Sequence, residues 1–110
     1  MDIQIDYKKQ NGLVPAIIQD IISKDIYMLG YMNEQAVKKT IESGKVFFWS
    51  RSRKRLWMKG EESGNILKVV GIKIDCDYDT LLISVQLLGK NVCHTGKCTC
   101  FNKELLINNI

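Results

Sequence analysis

Apolar and polar positions alternate along several short stretches of the chain, as is typical of β-strands. These stretches are residues 13–19, 25–32, 45–50, 66–76 and 81–88. Pro15 lies in the first stretch, and proline has no N–H to donate to a neighbouring strand. We therefore predict that residues 13–19 form an edge strand. In residues 66–76 the predicted apolar face is interrupted by Lys68 and consists of Ile66, Val70, Ile72 and Ile74.

One segment has the spacing of an amphipathic helix. Asn33 suits the N-cap, Glu34 suits the first turn, and Gly44 suits the residue that ends the helix. The predicted apolar stripe between them is Ala36, Val37, Thr40 and Ile41. The remaining segments are predicted as a strand or loop at 51–60, a turn at 61–65, a loop at 91–101 and a short helix in the tail.

This order of elements predicts a β-rich α+β fold. We expect a twisted, mostly antiparallel sheet that forms a roll or an open barrel, with one or two short helices. The 110 residues fit a single domain spanning 1–110. A domain of this size often gains stability from a bound metal or from dimerisation.

Composition and charge narrow the function classes. The chain is 45% hydrophobic and 25% charged, as in globular proteins, and its net charge of +4 favours anionic partners. The apolar run at 26–32 contains Gly30 and is too short to cross a membrane. Residues 1–12 are polar, unlike a secretory signal. We therefore expect a cytoplasmic protein whose four cysteines are reduced thiols for metal binding or catalysis.

An acidic run surrounds one of these cysteines. Asp75, Asp77 and Asp79 alternate with other residues, so on a strand they would share one face and Cys76 would point to the other. Clustered carboxylates repel one another and need a cation. Oxygen ligands suit Mg²⁺ or Ca²⁺, and a thiolate suits Zn²⁺. The alternative is a solvated acidic turn at the end of a strand.

The other three cysteines lie in one loop beside the sole histidine. Cys93, Cys98 and Cys100 form no C-x-x-C pair. If all four thiols including Cys76 bind zinc, the site is structural, whereas three thiols leave a position open for water. Each cysteine could instead be a small buried apolar residue. His94 is interpreted as a general acid or base, a substrate contact or a surface residue.

A segment at 47–60 combines cationic with aromatic side chains. This combination suits single-stranded nucleic acid, and it equally suits the phosphates and purine of a small nucleotide. The alternative is a charged edge strand whose aromatic side chains fill the core, and we expect Phe47 or Phe48 in the core in either case. The residues concerned are Phe48, Trp49, Arg51, Arg53, Lys54, Arg55, Trp57 and Lys59.

Six segments in this order resemble the phosphoribosyl-AMP cyclohydrolase family. They are GLVPAIIQD at 12–20, MLGYMN at 28–33, WSRSR at 49–53, LWMKGEESGN at 56–65, DCDYD at 75–79 and CHTGKCTCF at 93–101. Cys98 is an additional thiol relative to the family pattern. The resemblance covers most of the chain.

The resemblance implies an enzyme of histidine biosynthesis. Its reaction would be hydrolytic opening of the N1–C6 purine bond of N1-(5-phosphoribosyl)-AMP by a zinc-activated water with Mg²⁺ assistance. The resemblance further implies an obligate homodimer whose zinc site is shared between subunits. The implied ligands are Cys76, Cys93 and Cys100 for zinc, and Asp75, Asp77 and Asp79 for Mg²⁺.

Roles within such a site can be assigned as hypotheses. His94 would move the proton and Lys59 would stabilise developing charge. Trp49 or Trp57 would stack on the base. The other predicted substrate contacts, mainly to phosphate, are Ser50, Arg51, Ser52, Arg53 and Glu61. On this interpretation neither nucleic acid nor membrane is a partner. The alternative function is a zinc-dependent RNA-binding module without catalytic activity.

Overall fold

Seven regular elements follow a short 3₁₀ turn at Lys8–Gln10. A computed structural model describes residues 4–107. The elements, in chain order, are β1 (Val14–Asp20), β2 (Ile26–Met32), α1 (Glu34–Ser43), β3 (Phe47–Ser50), β4 (Arg55–Met58), β5 (Ile66–Ile74) and β6 (Leu81–Leu88).

The strands form a four-stranded mixed sheet and a separate hairpin. The order in the sheet is β2-β1-β6-β5, and β3 pairs with β4. The only parallel pair among the described strands is β1 with β6, and the other pairs are antiparallel. The β-rich α+β class is thus confirmed, with one α-helix in residues 4–107. Over the same residues the sheet ends at β2 and β5, so it is not a closed barrel.

The prediction that residues 13–19 form an edge strand is wrong, because β1 lies between β2 and β6. Pro15 is opposite Tyr31 in β2, and the pairing with β6 begins one residue later, at Ala16. The proline therefore stands where β1 has a neighbour on one side only. Its missing N–H constrains this position and not the strand as a whole.

The core is built on the alternation of β1 and β6. The alternate residues Val14, Ala16 and Ile18 of β1 are buried, as are Leu81, Ile83 and Val85 of β6. Helix α1 and the β3–β4 hairpin cover this face and bury Phe48. The buried residues at the centre are Val14, Ala16, Ile18, Met32, Ala36, Val46, Phe48, Leu67, Ile83 and Val85.

Both predicted ends of α1 are confirmed. The Asn33 side chain accepts a hydrogen bond of 2.8 Å from the backbone N of Ala36. Gly44 has a φ of 72° and its N–H donates to the carbonyl of Thr40. The apolar stripe is wrong at one position, because Ile41 is 64% exposed whereas Thr40 is buried. One residue turns a helix by about 100°, which is enough to move a side chain out of a narrow buried stripe.

The predicted single apolar face of β5 is also wrong. The register shifts between residues 69 and 71, which leaves Val70 as a bulge. Before the bulge Val69 is opposite the buried Val85, and after it Ile72 is opposite the buried Ile83. Directly opposite residues share a face of the sheet. The core-facing positions of β5 therefore change from odd to even numbers at Val70.

The remaining segments agree with expectation except for the tail. Residues 51–54 are a turn, and residues 91–101 form the predicted loop without helix or strand. No helix forms over residues 102–107, and the last part of the predicted tail helix, 108–110, lies outside the described residues. Within the described residues no helix is long and apolar enough to span a membrane.

Candidate active site

The β3–β4 hairpin presents the basic and aromatic segment. Phe48 and Trp57 are opposite each other across the hairpin, with ring centroids 5.3 Å apart. Phe48 is buried, as expected for one of the two phenylalanines, so Trp57 rests on the core. The turn is held by Ser50, whose Oγ accepts from the backbone N of Arg53, and by the left-handed conformation of Lys54.

A cavity of about 450 Å³ opens beside this hairpin, and we call it the main cavity because it holds most of the charged side chains. Its walls come from three places: the hairpin, the turn after β4 and the loop after β6. The sequence predicts one site from these segments, and residues of all three line the same cavity in the structure. The lining residues are Ser50, Arg53, Arg55, Trp57, Met58, Lys59, Gly60, Glu61, Glu62, Ser63, Asn65, Asn91, Val92, Cys93, His94 and Gly96.

The charged groups of the main cavity favour an anionic ligand that also carries hydrogen-bond donors. Its cations are Arg53, Arg55 and Lys59, and its carboxylates are Glu61 and Glu62. Arg55 Nη1 lies 3.8 Å from Glu61 Oε1. Both partners of this ion pair are solvated, so it contributes little stability and both groups are available to a ligand.

A second cavity of about 670 Å³ lies between the hairpin and β2. It shares Ser50 and Trp57 with the main cavity. The Arg51 guanidinium lies 4.2 Å from the centroid of the Tyr31 ring, a cation–π contact that fixes the position of its charge. The predicted substrate contacts thus divide between two neighbouring cavities. The lining residues of the second are Leu29, Gly30, Tyr31, Trp49, Ser50, Arg51, Ser52 and Trp57.

The cysteine loop is closed on itself and attached to β2. The backbone N of Cys93 donates to the carbonyl of Lys97 over 3.1 Å. Further along, the Tyr27 carbonyl accepts from the backbone N of Cys100 and from the hydroxyl of Thr99. Cys93 lines the main cavity, and its thiol forms a hydrogen bond with the thiol of Cys100.

The two neighbouring thiols differ in acidity. The Thr95 hydroxyl lies 3.0 Å from Cys93 Sγ, and this hydrogen bond is the main cause that lowers the pKa of the Cys93 thiol. The Lys59 ammonium lowers it further. Burial is the main cause that raises the pKa of Cys100, and the hydrogen bond with Cys93 adds to it. Cys93 is therefore the readier thiolate, and Lys59 acts on both thiols.

The acidic run is a turn, so the predicted strand geometry is wrong. β5 ends at Ile74, and Asp75 folds the following residues by accepting bonds from the backbone N of Asp79 and Thr80. The carboxylates converge nevertheless. Among residues 4–107, Asp75, Asp77 and Asp79 are the one group of three potential ligands whose oxygen or sulfur atoms all lie within 4.8 Å.

The donor chemistry fits the two expected metals to different degrees. Three carboxylates match the preference of Mg²⁺ for oxygen. Cys93 and Cys100 supply two thiols, as zinc prefers, but within one described chain Cys76 does not complete a cluster of three with them. Cys93 is buried, whereas Cys76, Cys98 and Cys100 are exposed.

Two residues of this region were missed by sequence analysis. Lys9 Nζ lies 3.2 Å from Asp77 Oδ2 and from Asp79 Oδ2. Such long-range pairing leaves no local signal. Asn65 Oδ1 accepts from the backbone N of Lys90, which joins the two turns that border the main cavity. Gly89 has a φ of 153°, and a Cβ there would collide with Asn65. The glycine at position 89 was therefore the one local sign of this close approach.

These features define a small mixed-sheet protein with a cationic cavity next to a thiol pair and a histidine. The profile of the phosphoribosyl-AMP cyclohydrolase family matches residues 28–102, and the chain belongs to this family. A phosphoribosyl-AMP cyclohydrolase of Clostridium botulinum is 52% identical over 94% of this chain and 93% of its own length. One of Ralstonia pickettii is 56% identical over 83% of this chain and 65% of its own length.

Longer relatives carry the same region. The histidine biosynthesis bifunctional protein HisIE of Bacteroides thetaiotaomicron is 57% identical over 93% of this chain. The chain spans about half the length of this and similar bifunctional relatives, 50% in this case. The match therefore concerns one part of those proteins.

Proposed function

We propose that the chain catalyses hydrolytic opening of the N1–C6 bond of N1-(5-phosphoribosyl)-AMP, a step of histidine biosynthesis. The observation that carries the proposal is the main cavity, which combines cations, an aromatic wall and His94 beside a thiol of lowered pKa. The family membership and the names of the relatives support it.

The two cavities suit the two phosphate ends of this substrate. Arg53 in the main cavity offers bidentate hydrogen bonds to one phosphate, and Arg51 with Ser52 offers a second phosphate position. Trp57 borders both cavities and is placed to stack on the purine between them. Glu61 accepts hydrogen bonds from ribose hydroxyls, which is consistent with its half-exposed carboxylate.

The reaction consumes one water, whose oxygen becomes the carbonyl oxygen at C6 and whose two protons must both leave that oxygen. His94 removes the first proton as the water adds to C6 and passes it to N1 as the N1–C6 bond breaks. The second proton leaves as the carbonyl forms, and Lys59 stabilises the negative charge that develops on this oxygen. Its electrostatic effect on both thiols is consistent with a position at the reacting end of the cavity.

Metal ligands come from both cysteine-containing segments. Cys93 and Cys100 would hold zinc together with Cys76 of a second copy of the chain, as the separation of Cys76 within one chain suggests. Bound zinc supplies Lewis acidity toward water. Asp75, Asp77 and Asp79 would hold Mg²⁺. A homodimer follows from this ligand set. Because thiol ligands must stay reduced, the cytoplasm is the compartment we propose.

The test is turnover of N1-(5-phosphoribosyl)-AMP by the purified full chain. We expect a change in near-UV absorbance, a product whose mass equals the substrate plus one water, and loss of activity when zinc is chelated. No turnover in zinc-loaded protein, together with RNA binding that weakens steeply with salt, would instead support the RNA-binding alternative. Glu61 and Glu62 in the main cavity weigh against that alternative, since they repel a phosphate backbone.

A further inference from the structure

The amino-terminal segment, residues 4–10, is held next to the acidic turn by contacts that do not involve charge. The backbone N of Asp6 donates to the carbonyl of Tyr78 over 2.6 Å. Ile5 and Tyr7 are partly buried and pack against the core. The short 3₁₀ turn at Lys8–Gln10 follows directly and carries the Lys9 side chain. The position of Lys9 relative to the acidic turn is therefore set by the backbone.

The Lys9 ammonium lies between two of the three carboxylates. Its Nζ is 3.2 Å from Asp77 Oδ2 and 3.2 Å from Asp79 Oδ2, within hydrogen-bonding distance of both. Asp79 is the more enclosed partner, with 18% of its side chain exposed against 56% for Asp77. The cluster thus already has a cation, and it comes from a residue 68 and 70 positions away in sequence.

A divalent cation at this cluster would compete with that ammonium for the same oxygens. Mg²⁺ approaches its oxygen ligands to about 2.0–2.1 Å and takes the lone pairs that now accept from Lys9. A positive charge so close would also repel the incoming ion. We propose that Lys9 is an affinity-determining residue of the carboxylate site: its ammonium occupies Asp77 and Asp79 in the metal-free chain and must leave when a divalent cation binds. This inference rests on the Mg²⁺ site proposed above.

The expected size of the effect is modest, because the groups are largely solvated. Exposed ion pairs are weak and are screened by salt. When a competitor occupies the site, the apparent affinity for the metal is the intrinsic affinity multiplied by the fraction of chains in which the site is free. We therefore expect removal of the ammonium to tighten divalent-cation binding about two- to tenfold at low salt.

The experiment is a titration of the zinc-loaded full chain with Mn²⁺, in which electron paramagnetic resonance measures free Mn²⁺. The variants are Lys9→Met, the matched control Lys8→Met and the site control Asp77→Asn. Lys8 has the same charge in the same turn, and among the ion pairs of residues 4–107 its side chain takes part in none. Lys9→Gln, a polar replacement, serves if the methionine variant does not fold.

The proposal predicts that Lys9→Met binds Mn²⁺ two- to tenfold more tightly than the wild type at low salt, and that this gap narrows at high salt. Lys8→Met should match the wild type. Equal affinity of the two lysine variants, or weaker binding by Lys9→Met, would overturn the role of Lys9. If Asp77→Asn binds Mn²⁺ as tightly as the wild type, the three carboxylates are not the metal site. This outcome distinguishes failure of the proposed metal site from failure of the proposed competition by Lys9.

Discussion

Thr40 shows how one buried hydroxyl connects the helix to the site. Its side chain is 1% exposed, and its Oγ1 donates to the carbonyl of Ala36 over 2.8 Å and accepts from the backbone N of Phe47 over 3.0 Å. Phe47 begins β3, the first strand of the hairpin beside both cavities. The sequence pattern placed Thr40 in an apolar stripe, and the structure shows a buried polar link instead.

Replacement of Thr40 by valine should therefore destabilise the protein although the shape is conserved. The change leaves the partly buried N–H of Phe47 without this acceptor, which costs about 1–3 kcal/mol. The measurement is the free energy of unfolding in urea. Ile41→Thr on the same helix is the control, and because Ile41 is exposed we expect a change within about 0.5 kcal/mol. Equal stability of Thr40→Val and the wild type would contradict the buried link.

At the scale of elements, Tyr27 joins β1, β2 and the cysteine loop. Its hydroxyl donates to Asp20 Oδ1 over 2.9 Å at the end of β1, and its carbonyl accepts from the backbone N of Cys100. Burial is the main cause that raises the pKa of Tyr27 to about 12, and the hydrogen bond with Asp20 adds to it. The backbone N of Ser23 is the main cause that lowers the pKa of Asp20.

The raised pKa of Tyr27 makes stability depend on alkaline pH. The folded state holds the phenolic proton more tightly than the unfolded state, so this contribution is complete below pH 10 and is lost as pH rises toward about 12. Urea midpoints measured across this window should fall with pH in the wild type and fall less in Tyr27→Phe. Tyr78→Phe removes an exposed tyrosine and should keep the wild-type slope. If the urea midpoint of Tyr27→Phe falls with pH as steeply as that of the wild type, ionisation of Tyr27 does not contribute to the loss of stability.

Local signals in the sequence predicted where an element begins and ends better than they predicted which elements pack beside it. The caps of α1 depend on Asn33 and Gly44 alone, and both were predicted correctly. β1 is an inner strand because it pairs in parallel with β6, which follows about 60 residues later in the chain. A contact between residues so far apart in sequence leaves no local pattern. The acidic turn was taken for strand because alternating aspartates match a period of two, whereas the hydrogen bonds of Asp75 bend the chain.

In the molecule as a whole, about half of the residues that line the two cavities were named from the sequence. Their division between the cavities could not be predicted, because it depends on which segments pack beside the β3–β4 hairpin. Trp49 and Arg51 line the cavity that β2 borders, and Arg53 and Lys59 line the cavity that the loop after β6 borders. The zinc site shared between two copies was implied by family resemblance alone. It can be tested by combining two different cysteine variants in one dimer.

Co-expression of Cys76→Ser with Cys93→Ser chains tests whether zinc ligands come from two copies. In a mixed dimer one site would contain both lesions and the other would be intact. With half of the dimers mixed, we expect about one quarter of the wild-type zinc content by elemental analysis, against none for either variant alone. Zinc content in the mixture no higher than in the separate variants would contradict a site shared between copies.

We propose the main cavity as the catalytic site and His94 as the residue that moves the proton there. The most direct measurement is the turnover rate of N1-(5-phosphoribosyl)-AMP by His94→Ala with its zinc content determined in the same sample. Lys97→Ala, an exposed change in the same loop, is the control. We predict unchanged zinc in both variants, wild-type turnover in Lys97→Ala, and turnover lowered about 10²- to 10⁴-fold in His94→Ala. Wild-type turnover in His94→Ala would show that His94 does not move the proton.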